Sequence, residues 1–297
     1  MKIINIKTVA FIATIIILAS AFVFVGCKKE DLVNQNNTEK KVEKGRKCND
    51  DIMRGVTFED IETLADKHNQ YLNDIFVDFD FESNDYKEEL LRNVKLADLD
   101  GASEEQKQSL CKKIIKNNFT FSTFKDVKAA IKSSDSLEFK HDIIFLLQRM
   151  NDIVQEDNIT YNILSKKIDD IQTDAYAMLT YNDLLFTLAT TEVFRKSAYY
   201  WFPSEAGGSG EGEAILFGSN NSGSSNSSSA TTKNNVKIAA QVAMADATSI
   251  ATGFTVLGFV AAFCPPATIG GLIEVAAEGA MSSAIAGIYE VAKNHKK

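Results

Sequence analysis

Between Thr57 and Phe202 the chain contains no proline, and apolar residues recur there at intervals of three and four. Proline inside a helix removes a hydrogen bond and clashes with the preceding turn. Its absence, together with this spacing, leaves long amphipathic helices as the structure the stretch can form. Phe58, Ile61, Ala65, His68, Leu72, Ile75 and Phe76 make the first stripe, and Tyr86, Leu90, Leu91 and Val94 a shorter second. Further stripes run through Leu110 and Ile114, through Phe124, Val127 and Ile131, and across 135–156, 159–178 and 182–202, where Pro203 ends the last. Thr57 with Asp60, and Ser103 with Gln106, have the spacing of capping boxes, in which each side chain covers the other residue's free N–H. No segment shows convincing strand alternation. The expected fold class is all-α, with about seven helices burying one core in a bundle over residues 57–203.

Residues 204–235 change character. Gly207, Gly208, Gly210 and Gly212 precede a run of Ser, Asn and Gly from Ser219 to Ser229. Such a composition cannot offset the entropy lost on ordering, so a flexible linker is expected, its ends roughly 30 Å apart as a random coil.

Residues 236–293 are rich in Ala, Gly, Ser, Val and Ile, and they are interrupted by Cys264-Pro265-Pro266 and Gly270-Gly271. The interruption predicts an apolar helical hairpin. Ala239, Ala243, Ala247 and Ala251 follow one another at steps of four on the first arm. Gly279, Ser283 and Gly287, with Ala276, Ala280 and Ala284, do so on the second. These faces carry almost no bulk, so two helix backbones can approach closely, as helices do in lipid. Ala247 to Cys264 is uncharged and about 18 residues long, the lower edge of a membrane span. Glu274 and Glu278 lie opposite the small face. Asp246 projects from the apolar side of its arm: either it pairs with a nearby lysine or lies outside a membrane, or it is a buried carboxylate used in assembly.

The N-terminus supplies an address. Lys2 and Lys7 precede an apolar run from Val9 to Val25, the layout of a secretory signal. The run ends at Phe24-Val25-Gly26-Cys27, which resembles the lipobox of bacterial lipoproteins, although Phe24 stands where Leu, Val or Ile is usual. The reading is a signal peptide over 1–26 and a covalent diacylglyceryl group on Cys27, stable because two or three acyl chains bury about 0.8 kcal/mol per CH₂. An uncleaved signal anchor is the competing reading. Lys29, Glu30 and Asp31 then resemble the surface-export signal of Bacteroidota lipoproteins. Residues 27–56 are polar and without apolar period, a flexible tether. The expected location is the outer membrane, lipid-anchored, with display on the cell surface as the extension of that reading.

Loss of the signal peptide removes two lysines and takes the formal charge from −8 to −10. Such an acidic chain repels nucleic acid and anionic lipid, so no nucleic-acid partner is expected. Export permits a disulfide between Cys48 and Cys111, and both unpaired is the equal alternative.

Three islands together resemble a group of uncharacterised Bacteroidota lipoproteins. They are Ala65-Asp66-Lys67-His68-Asn69-Gln70-Tyr71-Leu72, Glu192 to Trp201 with its Tyr199-Tyr200-Trp201 end, and Met244-Ala245-Asp246-Ala247 before the small-residue tail. The resemblance implies a helical domain followed by a tail like a glycine zipper. It implies no activity.

A catalytic constellation is not apparent. The three histidines, His68, His141 and His295, share no spacing, and His68 on its apolar stripe reads as a core residue or helix-end hydrogen bond rather than as a base. No metal-ligand spacing joins the cysteines, and Gly207 to Gly212 opens no helix after a strand, so it is no phosphate loop. The expectation is therefore a non-enzyme without cofactor beyond the acyl lipid on Cys27. Two functions remain. In the first the hairpin associates with membrane lipid, self-associating through its small faces, in a bacteriocin-like or other membrane-active role. In the second the hairpin docks on its own helical domain, forming an envelope structural module or one that binds a protein partner.

Overall fold

The computed structural model describes residues 57–80, 83, 85–99, 102–116, 122–217, 229–257 and 267–295. Cys27, the Lys29-Glu30-Asp31 signal, the tether, Cys48 and the Cys264-Pro265-Pro266 break lie outside them. The described residues are helical and contain no strand, so the fold is all-α. The described residues all belong to one compact unit, which the tail shares with the helices before it.

Seven helices occupy 57–203: α1 (Phe58–Phe76), α2 (Tyr86–Leu96), α3 (Glu104–Lys116), α4 (Phe124–Ser133), α5 (Lys140–Ile153), α6 (Tyr161–Met178) and α7 (Tyr181–Trp201). Both expected capping boxes form. The Thr57 hydroxyl accepts from Asp60 N while Asp60 accepts from Thr57 N, and Ser103 and Gln106 exchange the same pair of bonds. Thr123 and Asp126 make a third box at α4. The stripes point inward: Ile61, Leu72, Ile75, Val94, Ile131, Ile143, Leu147, Leu164 and Val193 are all fully buried or nearly so.

The stretch expected to be a linker is ordered through Phe217. It makes a 3₁₀ turn, Ser204–Ala206, and a short helix, α8 (Glu213–Phe217). Its glycines permit close packing. Gly207 and Gly210 take positive φ of 89° and 76°, while a Cβ on Gly208 would lie 2.2 Å from the Phe202 carbonyl oxygen. The backbone folds back on α7 through bonds such as Ser209 N to Tyr199 O, 2.7 Å, and Gly212 N to Tyr200 O, 2.9 Å. Composition suggested slackness because it carries no record of these long-range partners.

The tail supplies two long helices, α9 (Ser229–Leu257) and α10 (Ala267–His295). Gly270 and Gly271, expected in the break, lie inside α10. The two helices pack on each other; α9 also packs on α7 and α4, and α10 on α1 and α8. Residues 236–251 of α9 are buried almost without interruption. A broad apolar face must be covered by protein or by lipid, and here α7, α4 and α10 cover it, leaving Gln241 exposed and Lys237 half-buried. Of the two arrangements open for the hairpin, the described residues have it packed on the helical domain, with its small faces occupied there. Ala239, Ala243, Ala247, Ala251, Ala276, Ala280, Ser283 and Ala284 are fully buried, and Gly279 and Gly287 are buried with them. Among the described residues no helix is long and apolar enough to cross a membrane.

Candidate functional site: a buried polar cluster between four helices

Where α1, α7, α9 and α10 meet, the core stops being apolar. His68 of α1, Ser197 and Trp201 of α7, Asp246 of α9 and Ser283 of α10 are all fully buried and grouped together. Among the described residues the only charge partner near Asp246 is His68, not a lysine. Its Oδ2 accepts from the Ser197 hydroxyl and from Trp201 Nε1 at 3.2 Å. The same indole N–H reaches Ser283 Oγ at 3.2 Å, so it is shared between α9 and α10. His68 Nε2 stands 3.9 Å from Asp246 Oδ2, beyond hydrogen-bond range. His68 Nε2 and Asp246 Oδ1 have no hydrogen-bond partner.

The far side of His68 is better tied. Asn69 Nδ2 donates to the Lys196 carbonyl at 3.0 Å, which turns the Asn69 Oδ1 toward the ring, 3.0 Å from Nδ1. An amide oxygen only accepts, so in the neutral ring Nδ1 carries the hydrogen and Nε2 is bare. Lys196 itself is held by Asp66 at 2.9 Å.

Burial decides the electrostatics. It pushes the Asp246 carboxyl up to about 8, against the bonds from Ser197, Ser283 and Trp201 that favour its charged form. It holds the His68 ring down to about 4, against the bond to Asn69 and the pull of the Gly279 backbone. Between these values both groups are neutral, and the pair carries one titratable proton. This is what an enclosed site without a counterion requires. All five side chains are fully buried, and the arrangement fastens four helices to one another.

Two neighbouring features frame the cluster. Glu192 is buried on α7, and burial pushes its carboxyl up against the pull of Arg195; Gln172 of α6 donates to it, and Arg195 also takes Asp169 at 2.7 Å. This network joins α6 to α7. At the other end, an open cleft of about 380 Å³ lies between the 156–160 turn, Glu205 and the Lys233–Lys237 turn of α9.

Sequence reasoning placed His68 on the core face, as found, and singled out Asp246, but nothing in the spacing joined the two. Tyr200, Trp201 and Phe202 are buried while Tyr199 is 45% exposed, so the aromatic run closes the core. Cys111 is buried, with its thiol 3.9 Å from the Leu91 carbonyl. Ser197 was missed; only its place in the second island marked it. All three islands, far apart in sequence, meet at this cluster. Comparison with known protein families, curated proteins and solved structures finds no match.

Proposed function

We propose that the chain is a lipid-anchored, non-enzymatic protein of the bacterial envelope, in which the hairpin is the inner part of one helical interaction module. The observation that carries this reading is the covering of α9's apolar face by α7, α4 and α10, with Asp246 at its centre. A helix whose apolar face is covered by three others, with a carboxyl fastened to Ser197 and Trp201, serves its own domain. Gly26-Cys27 after the apolar run supports the anchor, and the net charge supports a protein partner over a nucleic acid.

Purified mature protein added to dye-loaded phosphatidylethanolamine–phosphatidylglycerol vesicles tests the reading. The expected result is no release, together with a single cooperative unfolding transition that includes α9 and α10. Release at neutral pH, or a tail that melts separately from the bundle, would favour the membrane-active alternative. Cys27→Ser tests the address independently: the parent should incorporate radiolabelled palmitate and the variant should not, whereas an uncleaved signal anchor would leave both unlabelled.

A further inference from the structure

Small faces alone would hold α9 and α10 in place by close packing, so the polar cluster among them calls for its own account. Burying an imidazole and a carboxyl at a helix junction is costlier than an apolar filling, and the two unpartnered atoms show that the cost is not fully recovered. Polar interiors of this kind are weak points as much as fasteners, since one added charge there has nothing to answer it.

We propose that the His68, Asp246, Ser197, Trp201 and Ser283 cluster is a latch: α9 and α10 part from α1 and α7 when the His68–Asp246 pair takes on a net charge. The inference rests on the docked hairpin proposed above. The groups facing Asp246 are few. His68 comes from α1; Ser197, Trp201 and the Tyr200 phenol come from α7, with Tyr200 pushed up to a value too high to ionise in this range. Ser283 comes from α10. No charged group of α4 or α8 is among those acting on the carboxyl. The nearest lysine of α7, Lys196, is engaged by Asp66. Among the described residues, a carboxylate at position 246 would therefore have hydroxyl and indole donors and an imidazole nitrogen without a hydrogen-bond partner facing it.

The direction of release follows from linkage. Asp246 is raised from 3.8 to about 8, so its contribution to stability is full at low pH and declines as pH rises toward 8. His68 is lowered from 6.5 to about 4, so its contribution is full above 6.5 and declines as pH falls toward 4. From about 4 to 6.5 the two slopes cancel. From 6.5 to 8 only the Asp246 decline remains. The latch therefore loosens toward alkaline pH, and its opening equilibrium grows about 8-fold across that interval, because His68 is half-titrated in the open state at one end and Asp246 half-titrated in the closed state at the other.

The chain carries its own reporter, because Trp201 is its only tryptophan and its indole N–H is the bond that bridges α9 and α10. Trp201 emission and hydrogen exchange of the full mature chain are compared at pH 6.5 and 8.5, with exchange corrected for base catalysis. The expected result is a red shift at the higher pH, with protection lost selectively in α9 and α10 while α5 and α6 keep theirs. Asp246→Asn, which cannot ionise, should abolish the change. Unchanged emission and protection, uniform loss of protection in every helix, or an Asp246→Asn variant that titrates like the parent would each overturn the latch. Should that variant fail to fold, exchange in the parent decides alone. A tail already unprotected at pH 6.5 would instead defeat the docked reading itself.

Discussion

Trp201 Nε1 lies 3.2 Å from Asp246 Oδ2 and 3.2 Å from Ser283 Oγ, so one N–H on α7 is shared between the two helices of the tail. The indole also packs edge-on against Phe76, with centroids 6.3 Å apart, and against Tyr200 at 5.0 Å. Trp201→Phe keeps an aromatic ring there and removes the donor. A buried acceptor left unmet costs roughly 1–3 kcal/mol, and that loss is expected in urea unfolding followed by circular dichroism. Trp201→Ala should lose more, about 3–5 kcal/mol, through the cavity as well.

Gly279 sets how near α10 comes to α9 and α1. A Cβ there would lie 2.5 Å from Ile250 Cδ1 and 3.0 Å from His68 Cδ2. Ile250 is fully buried and has little room to retreat. Gly279→Leu should lower stability by about 1–3 kcal/mol through overpacking. Gly279→Ala should cost less, because alanine favours helix by about 1 kcal/mol over glycine. Adding Ile250→Val, which deletes the obstructing Cδ1, should make the double variant more stable than the sum of the two singles. Strict additivity in that cycle would mean the two residues do not touch.

The fold class was legible because helical period, capping spacing and scarce proline all act locally. The Thr57 and Ser103 boxes need only four consecutive residues, and both form. The destination of α9 was not legible. An Ala-rich helix whose polar side is only Lys237, Gln241, Thr248, Thr252 and Thr255 reads much the same whether lipid or protein covers its small face, since both supply an apolar surround. Asp246 was the discriminating residue, yet its partners are 49 and 45 positions away on α7. Gly208 and Gly212 misled for the opposite reason: glycine signals slackness in composition and permits contact in a packed turn.

Those glycines give a direct check on the ordering of 204–217. A Cβ on Gly208 would meet the Phe202 carbonyl oxygen at 2.2 Å and carbon at 2.7 Å, both backbone atoms that cannot rotate away. On Gly212 it would meet the Trp201 ring at 2.3 Å. Alanine at either position should therefore destabilise the fold by about 1–3 kcal/mol. A slack segment would accept both changes without a shift in melting temperature.

Acid should loosen a different place, the joint between α1 and α2. Glu89 accepts from the Arg92 guanidinium, from Asp80 N at 3.0 Å and from Asn93 Nδ2 at 3.0 Å. These bonds, the Arg92 one foremost, draw its carboxyl down to about 2. A lowered carboxyl gives stability that is present above its ordinary 4.5 and lost as pH falls toward 2. Glu89→Gln should thus melt below the parent at pH 6, and the two should converge by pH 2. A gap of constant size across that range would assign the loss to packing instead.

Helix α5 begins at Lys140 with no side-chain cap of its own, since Phe139 occupies the cap position. Its cap comes from α7: the buried Asp183 carboxylate accepts Phe139 N at 2.6 Å and Glu138 N at 3.2 Å. Charge on an acceptor at a helix N-terminus is favourable, and two part-buried N–H groups depend on it. Asp183→Ala leaves both unmet and is expected to cost about 1–3 kcal/mol. Asp183→Asn keeps one neutral acceptor and should fall between the parent and alanine. Hydrogen exchange locates the effect: residues 138–143 should lose protection first, while the first turn of α7 keeps its own. Equal loss in both places would mean that Asp183 supports α7 rather than capping α5.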